Sequence, residues 1–220
     1  MQLNIFEAAR LTGTQKILFP GSACTYPKHA PMPIKAESFL DGKIEPTNLA
    51  YAAAKINGLV LAESYAKEYG MQVVLPMPTN TYGVGDNFDP KASHVIPALM
   101  KRFHEAKLDG LEEVVLWGTG KPLREFIYVD DVADAFIYLM EHYDQPNIIN
   151  VGTMDEIEIG ELAKQIAHVV GYEGRLTQDT EKPDGAPRKI LDSNPLFELG
   201  WKPKVSLEEG LEKMYRHHFQ

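Results

Sequence analysis

Two short apolar runs, each ending at Pro or a glycine-rich turn and joined through one long helical stretch, constrain this chain more than any other feature. KILFP (Lys16–Pro20) is closed by Pro and Gly, as a buried parallel strand is. MQVVLPM (Met71–Met77) has the same texture. Before it runs Ala50–Tyr69, a predicted helix whose Ile56, Leu59, Val60, Ala62, Tyr65, Ala66 and Tyr69 cover more than one face. A stripe that wide predicts burial on two sides, against a sheet and against a partner subunit. Strand, helix, strand then requires a right-handed crossover and a mostly parallel sheet.

The flanking regions fit around that unit. Leu3–Leu11 carries Leu3, Phe6, Ala9 and Arg10 at the spacing of an amphipathic helix. Beyond about residue 90 the strands shorten to VVLW, EFIYV and NIIN, with a helix over Asp130–His142 headed by two carboxylates that suit its N-terminus. A further helix over Ile159–Val170 stops at Gly171, and Ser206–Glu209 (SLEE) reads as a capping box. The expected class is α/β, a partial Rossmann-like parallel sheet with a smaller α+β substrate-binding lobe. Residues 1–90 are assigned to the sheet domain and 91–220 mainly to the lobe, with a helix and strand near 125–150 returning to the sheet.

Bulk properties exclude several functions. A net charge of -9 disfavours nucleic acid and anionic membranes as partners, because both require basic surface. It leaves room for an anionic small molecule held by a few local cations. No apolar run approaches the ~20 residues that span a bilayer, and no secretory signal is visible. The single cysteine, Cys24, forbids an intramolecular disulfide framework and fits a reducing compartment, so the expectation is a cytoplasmic protein.

The first chemical signal is Tyr51-Ala-Ala-Ala-Lys55. Residues i and i+4 share a helix face, and an ammonium held near a phenol favours the phenolate, which suits proton exchange with a carbonyl. Alone, a Tyr and a Lys four apart occur on any helix. Their setting gives them weight, because Ser22 in PGSACTYP follows the KILFP strand directly, where open α/β sheets place ligands. Strand–Ser, then YxxxK opening a helix, then strand–PTNTYG resembles the extended short-chain dehydrogenase/reductase superfamily. Within it, GSACTYPKHAPMPIKAESFLDGKIEPTNLAYAAAK, MPTNTYGVGDNFDPKASHVIPALMKRFHEAK, WGTGKPLREFIYVDDVADA and KPDGAPRKILD are similar to the GDP-L-fucose synthase family over essentially the entire chain.

That resemblance implies a reaction, NADPH-dependent conversion of GDP-4-keto-6-deoxy-D-mannose to GDP-L-fucose. The C4 ketone acidifies the hydrogens on C3 and C5, so both centres invert through enolates before reduction at C4. By resemblance, Ser22, Tyr51 and Lys55 form the reductase triad and Cys24 and His94 the epimerisation pair, with the base and the acid of that pair left unassigned. The same likeness places Pro20, Gly21, Ser22, Ala23, Lys55, Pro78, Thr79, Asn80, Thr81 and His94 along the NADP cofactor. It places Arg102, Trp117, Arg124 and Asp184 on the GDP-sugar substrate. On the residues alone, duller roles stay open: an inert buried thiol for Cys24, a solvated helix face for Lys101 and Arg102, core packing for Trp117. Arg102 stands where the family usually has Lys, Ala23 where Ser is common and Thr81 where Leu is common.

One departure matters. The family opens on a strand and a Gly-rich turn that cradles the cofactor pyrophosphate at a helix N-terminus, and nothing before Gly21 resembles it. At ~30 residues per βαβ unit, about 80–90 residues are unaccounted for. Three expectations follow: a truncated fucose synthase, a partner of a separate N-terminal chain, or a non-catalytic GDP-sugar-binding fragment. A homodimer through the helices containing Phe6 and Ile56–Tyr69 is also implied by the family likeness.

Overall fold

The computed structural model describes residues 1–220 and divides into two compact units. The first comprises Met1–Asn80, Asp131–Met154 and Ile190–Pro203; the second comprises Thr81–Asp130, Asp155–Lys189 and Lys204–Gln220. No helix is long and apolar enough to cross a membrane.

The first unit is built on a three-stranded parallel sheet in the order β1-β2-β6, with β1 at Lys16–Leu18, β2 at Gln72–Pro78 and β6 at Ile148–Val151. Ile17 pairs with Val73, and Leu75 with Ile148. The crossover from β1 to β2 runs through α2 (Leu49–Tyr69), as the apolar runs predict. Leu59, Ala62 and Tyr65 of α2 are buried with Leu75 and Met77 of the sheet and with Phe6 of α1 (Gln2–Leu11). The second predicted face of α2 is open in this chain: Val60 and Tyr69 are exposed. The helix stops at Gly70, whose φ of 66° is a left-handed cap geometry that costs glycine little.

In the second unit, β5 (Leu123–Tyr128) is the hub of a small sheet. It neighbours β3 (Asn80–Tyr82), pairs antiparallel with β7 (Glu156–Glu158) and parallel with β9 (Arg188–Lys189). A separate parallel pair joins β4 (Glu113–Trp117) to β8 (Arg175–Asp179). Three helices supply the core: α3 (Val95–Leu108), α5 (Ile159–Val170) and α7 (Leu207–Phe219). Phe103, Leu162, Ile166, Leu211 and Met214 are all within 1% of full burial. α4 (Val129–His142) starts one residue before Asp130, and its residues from Asp131 onward belong to the first unit. Gly171 ends α5 at φ 72°, as predicted. At the head of α7 half of the capping box forms: Ser206 Oγ accepts from Glu209 N at 3.2 Å, while the Glu209 carboxylate turns to Lys213 at 2.8 Å.

Candidate active site

The carboxyl end of β1 is where the first group of candidate residues gathers. Backbone pairing continues past the strand, with Phe19 N donating to Val74 O at 2.9 Å and Gly21 N to Pro76 O at 2.8 Å. This pins Pro20 and Gly21 against β2 (Pro78 is its last residue, and Thr79 N donates to Val151 O at 3.0 Å). Gly21 is required there by contact: a Cβ would lie 2.1 Å from Met77 Sδ. Ser22 then leaves in extended backbone and caps a short 3₁₀ turn, Ala23–Thr25. Its Oγ accepts from Cys24 N at 3.2 Å, and its carbonyl accepts from Thr25 N at 3.0 Å and Thr25 Oγ1 at 2.8 Å. Cys24 is a partly buried free thiol, and Asn48 Nδ2 lies 3.8 Å from its sulfur.

α2 brings Tyr51 and Lys55 to the same turn. Lys55 Nζ donates to Pro20 O at 2.8 Å and sits 5.5 Å from the centre of the Phe19 ring and 5.9 Å from that of Tyr51. Burial pulls the Lys55 ammonium below its ordinary pKa range. Tyr51 stands in the first turn of α2 with 52% of its surface open, so its phenol is accessible to an incoming ligand. Close approach of α2 to β1 depends on Gly58, whose Cβ would meet the Phe19 ring at 2.1–2.7 Å. Ser22, Cys24, Tyr51 and Lys55 thus converge on one strand–helix junction.

Asn80 closes the first unit, and the second holds the remaining candidates. His94 is exposed and is the N-cap residue of α3, its carbonyl accepting from Ala98 N at 3.0 Å. Arg102, on α3, donates through Nη1 to Val115 O at 2.9 Å, which lays it along β4. Trp117 ends β4 with 67% of its surface exposed and Lys182 Nζ 6.0 Å from its ring centre; it is no core residue. Arg124 lies on β5 with Nη1 on Leu123 O at 2.8 Å, and burial lowers its pKa. Asp184 accepts from Thr119 N at 2.8 Å and Thr119 Oγ1 at 2.7 Å. Those bonds, with Lys121 nearby, hold its carboxyl below the usual range. They also clasp the Trp117–Gly120 turn to the 182–185 loop. A Cβ on Gly118 would meet Asp184 Oδ1 at 2.3 Å, so only glycine permits the clasp at that φ of 79°.

Residues 1–152 match the model of the NAD dependent epimerase/dehydratase family. The chain belongs to that family. Among its relatives, the probable GDP-L-fucose synthase 1 of Oryza sativa is 51% identical over 221 residues, covering 100% of this chain and 67% of the relative. The GDP-L-fucose synthase of Escherichia coli is 49% identical over 98% of this chain and 70% of its own length. A GDP-L-fucose synthetase from Naegleria fowleri, solved bound to NADP, superposes with a TM-score of 0.90 at 29% identity, over 98% of this chain and 70% of that one. The chain therefore spans about two thirds of the length of these relatives. The members it resembles at about half identity are GDP-L-fucose synthases, so it is an oxidoreductase/epimerase chain by family.

The first unit's junction fits the nicotinamide end of the family's dinucleotide. Gly21 leaves the carboxyl end of the strand without a side chain, Lys55 presents a partly desolvated ammonium beside it, and Tyr51 is open. Asn48 and Thr119 had no place in the sequence reading. Asn48 gives a signal only as an amide three positions before Tyr51. Thr119 gives none, because its partner is 65 residues away.

Proposed function

We propose that this chain carries the catalytic and substrate-binding groups of an enzyme that converts GDP-4-keto-6-deoxy-D-mannose to GDP-L-fucose. The observation that carries the proposal is the 2.8 Å bond from Lys55 Nζ to Pro20 O, which locks the YxxxK helix onto the Ser22 turn. When bound, NADPH supplies the hydride for C4. Tyr51 gives its phenolic proton to O4 as the alcohol forms, Ser22 holds that oxygen, and Lys55 orients Tyr51 and the nicotinamide ribose. Before reduction, Cys24 and His94 exchange protons at C3 and C5, which the neighbouring ketone acidifies. On the second unit, Trp117 offers a stacking face to the guanine, and Arg102 and Arg124 offer directional donors to the diphosphate. Family likeness gives Asp184 to the substrate, and its bonds to Thr119 favour a role in shaping that pocket.

β1 closes one side of the three-stranded sheet and pairs only with β2. We assign that free edge to further parallel strands carrying the pyrophosphate site, from a longer form of this chain or from a separate one. The exposed Leu3, Ile5, Val60 and Tyr69 of α1 and α2 suit a second copy of the chain as homodimer partner.

The test is NADPH oxidation with GDP-4-keto-6-deoxy-D-mannose, on this chain and on a form extended by its upstream coding region, with deuterium uptake at C3 and C5 followed in heavy water. Turnover and uptake in the extended form support the reading. GDP binding with neither turnover nor uptake in both forms leaves a non-catalytic GDP-sugar-binding protein.

A further inference from the structure

A buried amide lies behind the Ser22–Cys24 turn. Asn150, on β6 and 3% exposed, spends every polar atom of its side chain on that region. Its Oδ1 accepts from Tyr26 Oη at 2.6 Å, and its Nδ2 donates to Ile34 O at 2.9 Å and Asp192 O at 3.1 Å. Two carbonyls on the Nδ2 side fix the amide orientation, since a flipped amide would set oxygen against oxygen. Tyr26, 2% exposed, is the C-cap of the 3₁₀ turn whose N-cap is Ser22, and its own N–H returns to Ala23 O at 3.3 Å. Beside it, the fully buried Thr25 bonds Ser22 O. Ile34 N donates to Ile190 O and Asp192 N to Ile34 O, both at 2.8 Å, so the far end of the same loop is tied to the strip that Asn150 also holds. Burial raises the Tyr26 phenol well above its ordinary range, so it remains a donor at any working pH.

We propose that Asn150 is a positioning residue for the reaction: through the Tyr26 hydroxyl it fixes where Ser22 and Cys24 stand at the end of β1. The proposal rests on the function proposed above. Neither Asn150 nor Tyr26 reaches the reacting atoms; they set the backbone from which the two functional side chains project. A shared anchor implies that loosening it degrades proton exchange at C3 and C5 and reduction at C4 together, and leaves nucleotide binding alone.

The experiment uses the extended, active form. Tyr26→Phe deletes one oxygen and little packing, Asn150→Asp sets a carboxylate against two carbonyls, and Val73→Ala is a core control on β2. Because Cys24 is the only cysteine of this chain, its alkylation by iodoacetamide, read by mass at peptide level, reports the turn without reference to activity. Tyr26→Phe is expected to change the alkylation rate about fivefold and to lower kcat about tenfold at unchanged KM for the GDP-sugar, the scale of a small misplacement. Val73→Ala is expected to lower Tm with neither effect. Wild-type alkylation and kcat in a folded Tyr26→Phe overturn the proposal, as do changes matching those of Val73→Ala at equal loss of Tm. If the wild-type extended form shows no turnover, the function reading fails by itself, and the alkylation comparison still decides the positioning role.

Discussion

Replacing Gly58 by alanine sets two known effects against each other, and the structure says which one wins. Gly58 is buried in the body of α2, where Gly→Ala ordinarily gains about 1 kcal/mol from helix propensity. Here the new methyl would lie 2.1, 2.6 and 2.7 Å from three atoms of the Phe19 ring, against the 3.4 Å at which ordinary contact begins. The ring is rigid and packed beside Phe6 at 5.9 Å between centres, so it cannot yield by turning one terminal atom. Overpacking of this kind costs about 1–3 kcal/mol, and three simultaneous contacts place it in the upper half of that range. The net loss is about 1–2 kcal/mol, or a Tm lower by about 2–8 °C for a chain of this size. Since Phe19 also flanks Lys55, NADPH turnover should fall as well. Calorimetry on Gly58→Ala and on Gly58→Ala/Phe19→Leu gives the decisive comparison. In the second background the methyl has room, so the alanine should be neutral or stabilising. A Tm for the single variant equal to or above wild type, or strict additivity in the pair, refutes the reasoning.

Two further expectations follow from the site and from the α1–α2 contact. Glu7 is held at a pKa of about 2, against an ordinary 4.5, first by its hydrogen bond from Arg10 and then by that from Tyr65. A depressed carboxylate pKa gives stability that is complete above pH 4.5 and is lost as pH falls through about 2; Glu7→Gln should flatten the urea midpoint over that window, and an unchanged acid limb counts against it. Trp117 is 67% exposed, so Trp117→Ala should leave Tm nearly unchanged while weakening GDP binding about tenfold, the scale of one lost base–aromatic stack; calorimetric titration with equal affinities would assign the ring no nucleotide role.

The α/β order was readable because Ile17–Pro20 and Val73–Met77 are unbroken apolar runs, which marks both as parallel strands; β2 is buried as expected, whereas β1, at the sheet edge, is only half-buried. Gly70 and Gly171 mark helix ends for an equally local reason, the left-handed backbone they adopt. β8 was not readable: RLTQD has no strand pattern of its own and is a strand because β4 pairs with it along five residues. The two-faced stripe of α2 was visible in sequence, yet only one face is buried in this chain; composition reports that a face is apolar, and the occupant has to come from elsewhere.

The same division runs through the site. Ser22, Tyr51 and Lys55 declare themselves by spacing along one strand–helix unit, and the packing of α2 on that strand then brings Lys55 to Pro20. The anchoring groups of each unit do not, because their partners are remote in sequence. Asn150 meets Tyr26 across 124 residues, and Asp184 meets Thr119 across 65. Asn and Thr are ordinary in strands and turns, and what distinguishes these two is that their polar atoms have partners where water cannot serve or a turn must be closed. Reactive groups must be exposed to a ligand and are drawn from a short chemical menu, so a pattern can find them. Positioning groups need only satisfy one another, and many residue types can do so. That asymmetry predicts where a relative at half identity can differ without losing the reaction: in the identity of the anchors, provided each exchange preserves the pairing, before any exchange in the residues the anchors hold.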